Sequence, residues 1–202
     1  MELFRRNFLI VLPLTLFTVG SLLIPSVEAD PKADDTKQEL TELTPIQLGQ
    51  TRNVHQFGPT ILCGQPDQAD FKSAQEKGVE VVITLRTEEE LFWNEKELVE
   101  DLGLEFHQLG FQQPASLTDQ ILDQTRELLR NSRKKPVMLH CASANRVGAV
   151  WAAHRVLDDG LDLNTALKEA QKVGLRNPGY VMQVENYIKR KQSDRQATTT
   201  GE

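Results

Sequence analysis

Cys141 and Arg146 stand at the two ends of a six-residue segment that follows an apolar strand pattern and precedes a helical pattern. A short loop between a strand and a helix start collects free backbone N–H groups, and such groups bind anions. The arginine would add two parallel hydrogen bonds to phosphate oxygens, which lysine cannot do. The spacing therefore predicts a phosphate-binding loop. Its amides would come from Ala142, Ser143, Ala144, Asn145 and Val147.

The same loop gives Cys141 a chemical role. A thiol beside a helix start and a guanidinium is held in its thiolate form, which is the nucleophile. Attack on a bound phosphate ester would form a phosphocysteine that water then hydrolyses. The alternative is a buried cysteine that ends a core strand, with Arg146 solvated on the following helix.

The elements that must position this loop alternate between strand-length apolar runs and segments of helical period, which is typical of an α/β fold. We expect one domain with a mainly parallel central sheet flanked by helices. The predicted strands are Thr60–Cys63, Val79–Leu85, Leu104–Leu109 and Pro136–His140. The predicted helices are Gln68–Glu76, Glu88–Asp101, Thr118–Asn131, Arg146–Leu157, Asn164–Lys172 and Gly179–Lys191.

Both ends of the chain differ in composition from its centre. Residues 1–29 combine Arg5 and Arg6 with an apolar run and small residues before Asp30, which indicates a cleaved secretory signal. We expect an exported protein, periplasmic or secreted, and an uncleaved membrane anchor is the rival interpretation. Residues 30–48 are interpreted as a flexible lead-in and residues 192–202 as a disordered tail.

Charge and cysteine content exclude several classes of function. The net charge of −6 argues against a broad nucleic-acid surface or an anionic-membrane surface. Neither a CxxC motif nor a His/Cys cluster is present, so we expect no metal and no cofactor. Cys63 is interpreted as a small buried core residue, although a disulfide with Cys141 would silence the nucleophile. Trp93 and Trp151 are expected in the core.

Three separate motifs carry a family resemblance. They are Cys-Gly-Gln-Pro at residues 63–66, Val-Ile-Thr-Leu-Arg at residues 82–86 followed by acids, and His140-Cys141. In this order and spacing the chain resembles the protein tyrosine and dual-specificity phosphatase superfamily. It looks most like the bacterial branch described as phosphatase-like domains of beta-lactamase-hydrolase-like proteins. The resemblance runs from about Asn53 to Ile188.

The resemblance implies a cysteine-phosphatase fold over residues 49–191 and a phosphorylated small molecule or protein as substrate. By the same resemblance His140 would tune the thiolate, although a core histidine bonded to backbone is equally compatible with its position. Arg86 would help to bind substrate or pair with one of the acids at residues 88–90, and we favour the ion pair.

The chain departs from the superfamily pattern at three places. Four residues, not the usual five, separate Cys141 from Arg146. Val147 replaces the serine or threonine whose hydroxyl helps the cysteine to leave the intermediate. The segment 109–116, where the resemblance places an aspartic general acid, holds no carboxylate. Asp119 is nearest, but Ser116 to Asp119 is typical of a helix-capping box.

Three functions stay open at this point. The first is a cysteine-dependent phosphatase that prefers aryl phosphates, because phenol-like groups depart without a general acid. The second is a pseudophosphatase that binds an anionic ligand with negligible turnover. The third is rhodanese-like sulfur transfer, which also uses a cysteine in a loop of amides.

Overall fold

The computed structural model describes residues 42–200, so the predicted signal sequence at residues 1–29 lies outside the described residues. The strands are β1 (Thr44–Pro45), β2 (His55–Phe57), β3 (Thr60–Cys63), β4 (Val81–Thr84), β5 (Glu105–Gln108) and β6 (Val137–His140). The helices are α1 (Gln68–Glu76), α2 (Glu95–Asp101), α3 (Asp119–Arg130), α4 (Asn145–Leu157), α5 (Leu163–Val173) and α6 (Pro178–Thr200). Short 3₁₀ helices cover Glu88–Glu90 and Pro114–Ser116.

The strands form one mixed sheet in the order β1-β2-β3-β6-β4-β5. The four strands β3, β6, β4 and β5 are parallel, and β1 and β2 add an antiparallel edge. In the register of the central strands, Cys63 and Thr84 both lie opposite His140. The carboxyl ends of three strands therefore meet at one edge of the sheet, where binding sites of α/β folds form.

Helices cover both faces of the sheet, which confirms the predicted single-domain α/β fold. On one face, buried residues such as Leu139 and Val150 form a large apolar cluster among the strands and α3 to α6. On the other face, Phe71 and Met138 belong to a smaller cluster under α1 and α2. Trp151 is buried in the larger cluster, as expected, and Trp93 is partly buried against the smaller one. No helix within residues 42–200 is both long enough and apolar enough to cross a bilayer.

The structure differs from the predicted elements in the short edge strands. β1 and β2 are two and three residues long, too short to produce a visible alternation of apolar and polar residues. β1 lies within the segment interpreted as a flexible lead-in, and the flanking Leu43 and Leu48 are buried. Apolar contacts thus hold residues 42–48 against the domain.

Two predicted helices have other bounds. The segment 88–101 is divided because the backbone N–H of Thr87 donates to the Glu90 carboxylate (2.9 Å) and closes a 3₁₀ turn, after which Asn94 caps a new helix. The last helix does not end at Lys191 but continues to Thr200. In this extension Arg195 donates a hydrogen bond of 3.1 Å to the carbonyl of Leu157 at the end of α4.

A buried ion pair ties α3 to the end of α4. Asp158 accepts hydrogen bonds from Arg126 Nη2 (2.7 Å) and Nε (2.8 Å), and His154 Nδ1 lies 3.0 Å from its Oδ2. Burial raises the pKa of Asp158, but the bonds from His154 and Arg126 outweigh this effect and hold it well below its usual range. The folded protein therefore stabilises the ionised form of the Asp158 carboxyl group.

Asp158→Asn is expected to lower the free energy of unfolding by about 3 kcal/mol at pH 7, because Arg126 would keep a buried charge without its partner. Since the folded-state pKa is depressed, this stabilisation is complete above pH of about 4 and is lost as the pH falls below it. Urea denaturation at pH 7 and pH 3.5 measures both effects. Equal loss of stability on acidification in the wild type and the variant would contradict the assignment.

Candidate functional site

The loop begins where β6 ends at His140 and closes where α4 begins at Asn145. Cys141 is buried, with 1% of its surface exposed. Ala144 has a left-handed backbone (φ 64°) just before the first helical residue, which lets a loop with only four residues between Cys141 and Arg146 turn back on itself. The short loop is thus closed by an unusual conformation at Ala144.

The backbone of the loop is oriented by contacts on its outer side. The carbonyl of Ala142 accepts a hydrogen bond from the backbone N–H of Gln65 (3.3 Å), and the carbonyl of Ser143 accepts one from the side-chain Nδ2 of Asn53 (3.0 Å). With these carbonyls bound outside, and apart from the antiparallel bridge that pairs Ser143 with Gly64, the N–H groups of residues 142, 143 and 145–147 donate no hydrogen bond to any residue in the described range. Such a run of free amides at a helix start is an anion-binding arrangement.

The side chains of the predicted phosphate-binding residues mostly have structural roles. The Asn145 Oδ1 accepts from the backbone N–H of Arg176 (2.8 Å), so this side chain anchors the segment after α5. Ala144 and Val147 are buried in the core, and Ala142 and Ser143 are exposed. Ala142, Ala144 and Val147, which have no polar side-chain atoms, can therefore offer a ligand in the loop only their backbone N–H groups.

Arg146 is held from one side. Its Nη1 donates to the carbonyls of Leu85 (2.8 Å) and Phe111 (2.6 Å) and to Glu90 Oε2 (2.7 Å), and its Nη2 donates to Glu90 Oε1 (2.8 Å). A guanidinium has five N–H donors, so Nε–H and the second Nη2–H are the two that face no oxygen of the described chain and that could form two parallel bonds to a phosphate next to the sulfur. Burial lowers the pKa of Arg146, but Glu90 and the Cys141 sulfur raise it more, which places the sulfur beside the guanidinium.

Glu90 is a functional candidate that sequence reasoning missed. Burial raises its pKa, but the hydrogen bonds from Arg146 outweigh this effect and lower it, so Glu90 is an ionised anchor for the arginine. The expected ion pair between Arg86 and the acids at residues 88–90 is wrong in its partner. Arg86 donates to the backbone carbonyl of Glu90 and to Gln65 Oε1 (2.6 Å), while the carboxylate of Glu90 binds Arg146.

A second carboxylate lies beneath the loop. His140 Nε2 is 3.0 Å from Glu95 Oε1, and both side chains are fully buried. Gln65 Nε2 donates to Glu95 Oε2 (2.7 Å). Burial raises the pKa of Glu95, but the nearby His140 and Gln65 outweigh this effect and lower it. The histidine before the nucleophile therefore has a carboxylate partner, and not the backbone partner considered in the sequence analysis.

Cys63 and Cys141 are both free and buried. Cys63 packs in the apolar cluster under α1 and α2, whereas Cys141 belongs to the cluster on the opposite face of the sheet. This placement favours the interpretation of Cys63 as a core residue. Burial is also the main reason why the pKa of the Cys63 thiol is raised. No group of three or more metal-ligating side chains occurs in the part of the chain that the structure describes.

Several solved phosphatase structures match this arrangement of strands and helices. Tk-PTP in its active form matches with a TM-score of 0.58 and 18% identity, over 65% of this chain and 92% of its own. P. aeruginosa TpbA matches with a TM-score of 0.57 and 19% identity, over 73% and 88%. The chain has the protein tyrosine phosphatase fold. A DUF442 protein from Shewanella putrefaciens CN-32 also matches, with a TM-score of 0.60 and 16% identity over 71% and 95%. No protein-family model and no curated protein sequence matches the chain.

In this tyrosine phosphatase fold the segment after β5 runs past Arg146 without a carboxylate. Phe111 is buried and binds Arg146 through its carbonyl, and the carbonyl of Gln112 accepts from the Tyr180 hydroxyl (2.8 Å). Asp119 lies in the first turn of α3, where it binds the exposed Arg190 (2.5 Å). The N-cap of α3 is Thr118, whose hydroxyl accepts a hydrogen bond from the backbone N–H of Ile121 (3.3 Å). The cap therefore lies two residues after Ser116, where the predicted capping box begins.

Asp119→Asn is expected to change kcat for p-nitrophenyl phosphate less than about twofold, because this carboxylate is occupied by Arg190. A general acid would be worth a factor of about 10² to 10⁴. Steady-state kinetics across pH 5 to 8 checks this expectation. A drop of a hundredfold or more, with loss of the basic limb of the pH profile, would identify Asp119 as the acid instead.

Proposed function

We propose that this protein is a cysteine-dependent phosphatase that hydrolyses phosphate monoesters through a phosphocysteine intermediate. One observation carries the proposal. Cys141 lies at the start of a loop in which most of the following backbone N–H groups make no hydrogen bond to the described chain, beside Arg146, which Glu90 holds through two of its donors. The amides and the guanidinium would bind the equatorial phosphate oxygens and favour the thiolate.

The reaction has two displacement steps. First the Cys141 thiolate attacks phosphorus, the S–P bond forms, and the ester P–O bond breaks, so that the leaving oxygen takes the electron pair and then a proton from solvent. Water then attacks the phosphocysteine, the S–P bond breaks, and orthophosphate leaves as the thiolate is regenerated. Both steps develop charge on the phosphate oxygens, which the loop amides and Arg146 stabilise.

Aryl phosphates are the proposed substrates. Since the segment 109–116 contains no carboxylate, the leaving oxygen must depart as an anion, and a phenolate does so far more easily than an alkoxide. A solved complex of a Cys-to-Ser variant of P. aeruginosa TpbA with phosphotyrosine, 18% identical to this chain, supports this substrate class. Matched phosphotyrosine and phosphoserine peptides test it, and faster turnover of phosphoserine would contradict it.

A second candidate is a pseudophosphatase that binds the anion without turnover. Two observations favour it: the segment without a carboxylate, and Val147, a fully buried residue that offers no hydroxyl to the departing cysteine. Reduced protein assayed on p-nitrophenyl phosphate and on thiosulfate with cyanide separates the candidates. Turnover of the ester supports the phosphatase, orthophosphate binding without turnover supports the pseudophosphatase, and thiocyanate formation would support sulfur transfer.

We also propose that residues 1–29 direct export and are removed. The supporting pattern is two arginines, an apolar run and the small residues before Asp30. N-terminal sequencing of protein recovered from a periplasmic fraction tests this proposal, with Asp30 expected as the first residue. Recovery of an intact N-terminus from the membrane fraction would contradict cleavage.

A further inference from the structure

A surface cavity of about 490 Å³ is lined by α5 and the segment that follows it. Its lining residues are Lys168, Gln171, Lys172, Leu175 and Arg176, and none of them is acidic. The three cations are exposed: Lys168 and Lys172 lie about one turn apart on α5, and Arg176 lies in the segment just after the helix, where it lines the same cavity. The surface formed by Lys168, Lys172 and Arg176 is called the cationic face below. It stands out in a chain with a net charge of −6.

The cationic face ends at the phosphate-binding loop. The backbone N–H groups of Arg176 and Asn177 donate to Asn145 Oδ1 at 2.8 and 3.3 Å. The backbone of Gly174 also packs tightly against the loop, because a Cβ added at Gly174 would lie only 3.0 Å from the backbone of Ala144. The segment that carries Arg176 therefore packs directly on the last residues of the loop.

Lys172 also acts on the other border of the loop. Asn53, which donates to the Ser143 carbonyl (3.0 Å), is followed by β2 with His55. Burial lowers the pKa of His55, a contact with the Asn53 carbonyl opposes this effect, and the positive charge of Lys172 lowers it further. The positive field of Lys172 thus reaches the strand beside the loop.

Such a row of like charges is unfavourable by itself. Lys168 and Lys172, four residues apart on α5, repel each other. Arg176 is nevertheless fixed in place, because its Nη1 donates to the carbonyls of Gln171 and Leu175, the latter at 2.8 Å. Its Nη2 and Nε make no bond to another residue of the described chain. An anion bound across this face would relieve the repulsion and engage these donors.

We propose that the cationic face binds a second anionic group of the substrate, a phosphate or a carboxylate, while the loop binds the phosphate that is hydrolysed. The inference rests on the proposed phosphatase function and names its substrate class. Preferred substrates are phosphotyrosyl esters that carry another negative charge beside the reacting phosphate. Charge steering by such a face speeds association and is weakened by salt.

The test uses three phosphotyrosine peptides of equal length, flanked by aspartates, by a phosphoserine, or by asparagines. For the wild type, kcat/KM is expected to be about fivefold higher for the two acidic peptides than for the neutral one at low salt. In Lys168→Gln/Lys172→Gln this ratio is expected to fall to near one. The aspartate and phosphoserine peptides distinguish a carboxylate from a phosphate as the preferred second group.

Lys72→Gln/Lys77→Gln is the matched control, because it removes the same charge from exposed positions on and just after α1 and should keep the preference. An unchanged preference in Lys168→Gln/Lys172→Gln, or an equal loss in the control, would overturn the proposal. The same peptides are titrated against Cys141→Ser variants by fluorescence anisotropy. A binding preference that depends on the two lysines supports the cationic face even where turnover is absent, so its failure and that of the phosphatase function are distinguishable.

Discussion

Cys141→Ser is expected to abolish phosphatase turnover, reducing kcat for p-nitrophenyl phosphate by at least about 10⁴-fold, as the removal of a covalent nucleophile does. The physical reason is that a serine hydroxyl is a weak nucleophile without an adjacent general base, whereas a thiol ionises far more easily and its thiolate is the proposed nucleophile. Orthophosphate binding should persist, because the loop amides and Arg146 remain. Steady-state kinetics and a phosphate titration measure the two effects.

Cys63→Ala is the matched control. Cys63 is also a fully buried cysteine, but it packs on the opposite face of the sheet from Cys141. We expect this variant to keep its kcat within about threefold and to lose some stability through the small cavity. Turnover that survives in Cys141→Ser, or disappears in Cys63→Ala with the fold intact, would contradict the assignment of the nucleophile.

Arg146→Lys is expected to lower kcat/KM by about a thousandfold, the scale of a lost transition-state donor. An ammonium group cannot bind Glu90 with one edge and a phosphate with the other, because it lacks the planar fork. It would also leave the carbonyls of Leu85 and Phe111 with fewer donors than they have now. The measurement is kcat/KM for p-nitrophenyl phosphate, together with a thermal melt that shows whether the variant is folded.

Arg190→Lys serves as the control for this prediction, since Arg190 is half exposed and binds only the surface carboxylate of Asp119 among the described contacts. Its kcat/KM should stay within about twofold of the wild type. A folded Arg146→Lys variant with nearly normal kcat/KM would show that the guanidinium does not stabilise the transition state.

The central part of the fold could be predicted because its elements have strong local patterns. β3 and α1 have the predicted bounds, and β6, the loop and α4 follow in the predicted order. A buried parallel strand is an apolar run with no alternation, which is easy to recognise before a helix. The two edge strands were missed because two or three residues carry no periodic signal.

The partners within the site depend on tertiary contacts that spacing cannot supply. Glu90 binds Arg146 across 56 positions of sequence, and the acids before it are equally plausible partners when only the sequence is known. The carboxylate beside His140 comes from Glu95 at the start of α2, and that helix was predicted as part of a longer one. The available signal for Glu90 was its place in the acidic run at residues 88–90, which follows a strand that ends near Cys141.

The central claim is that Cys141 becomes phosphorylated during turnover, and rapid acid quenching followed by peptide mass spectrometry tests it most directly. Because Val147 offers no hydroxyl for the second step, hydrolysis of the intermediate should be slow, and p-nitrophenol should appear in a burst with phosphate on the peptide that contains Cys141. Turnover with no burst and no phosphate on Cys141, or with phosphate on another residue, would contradict the account.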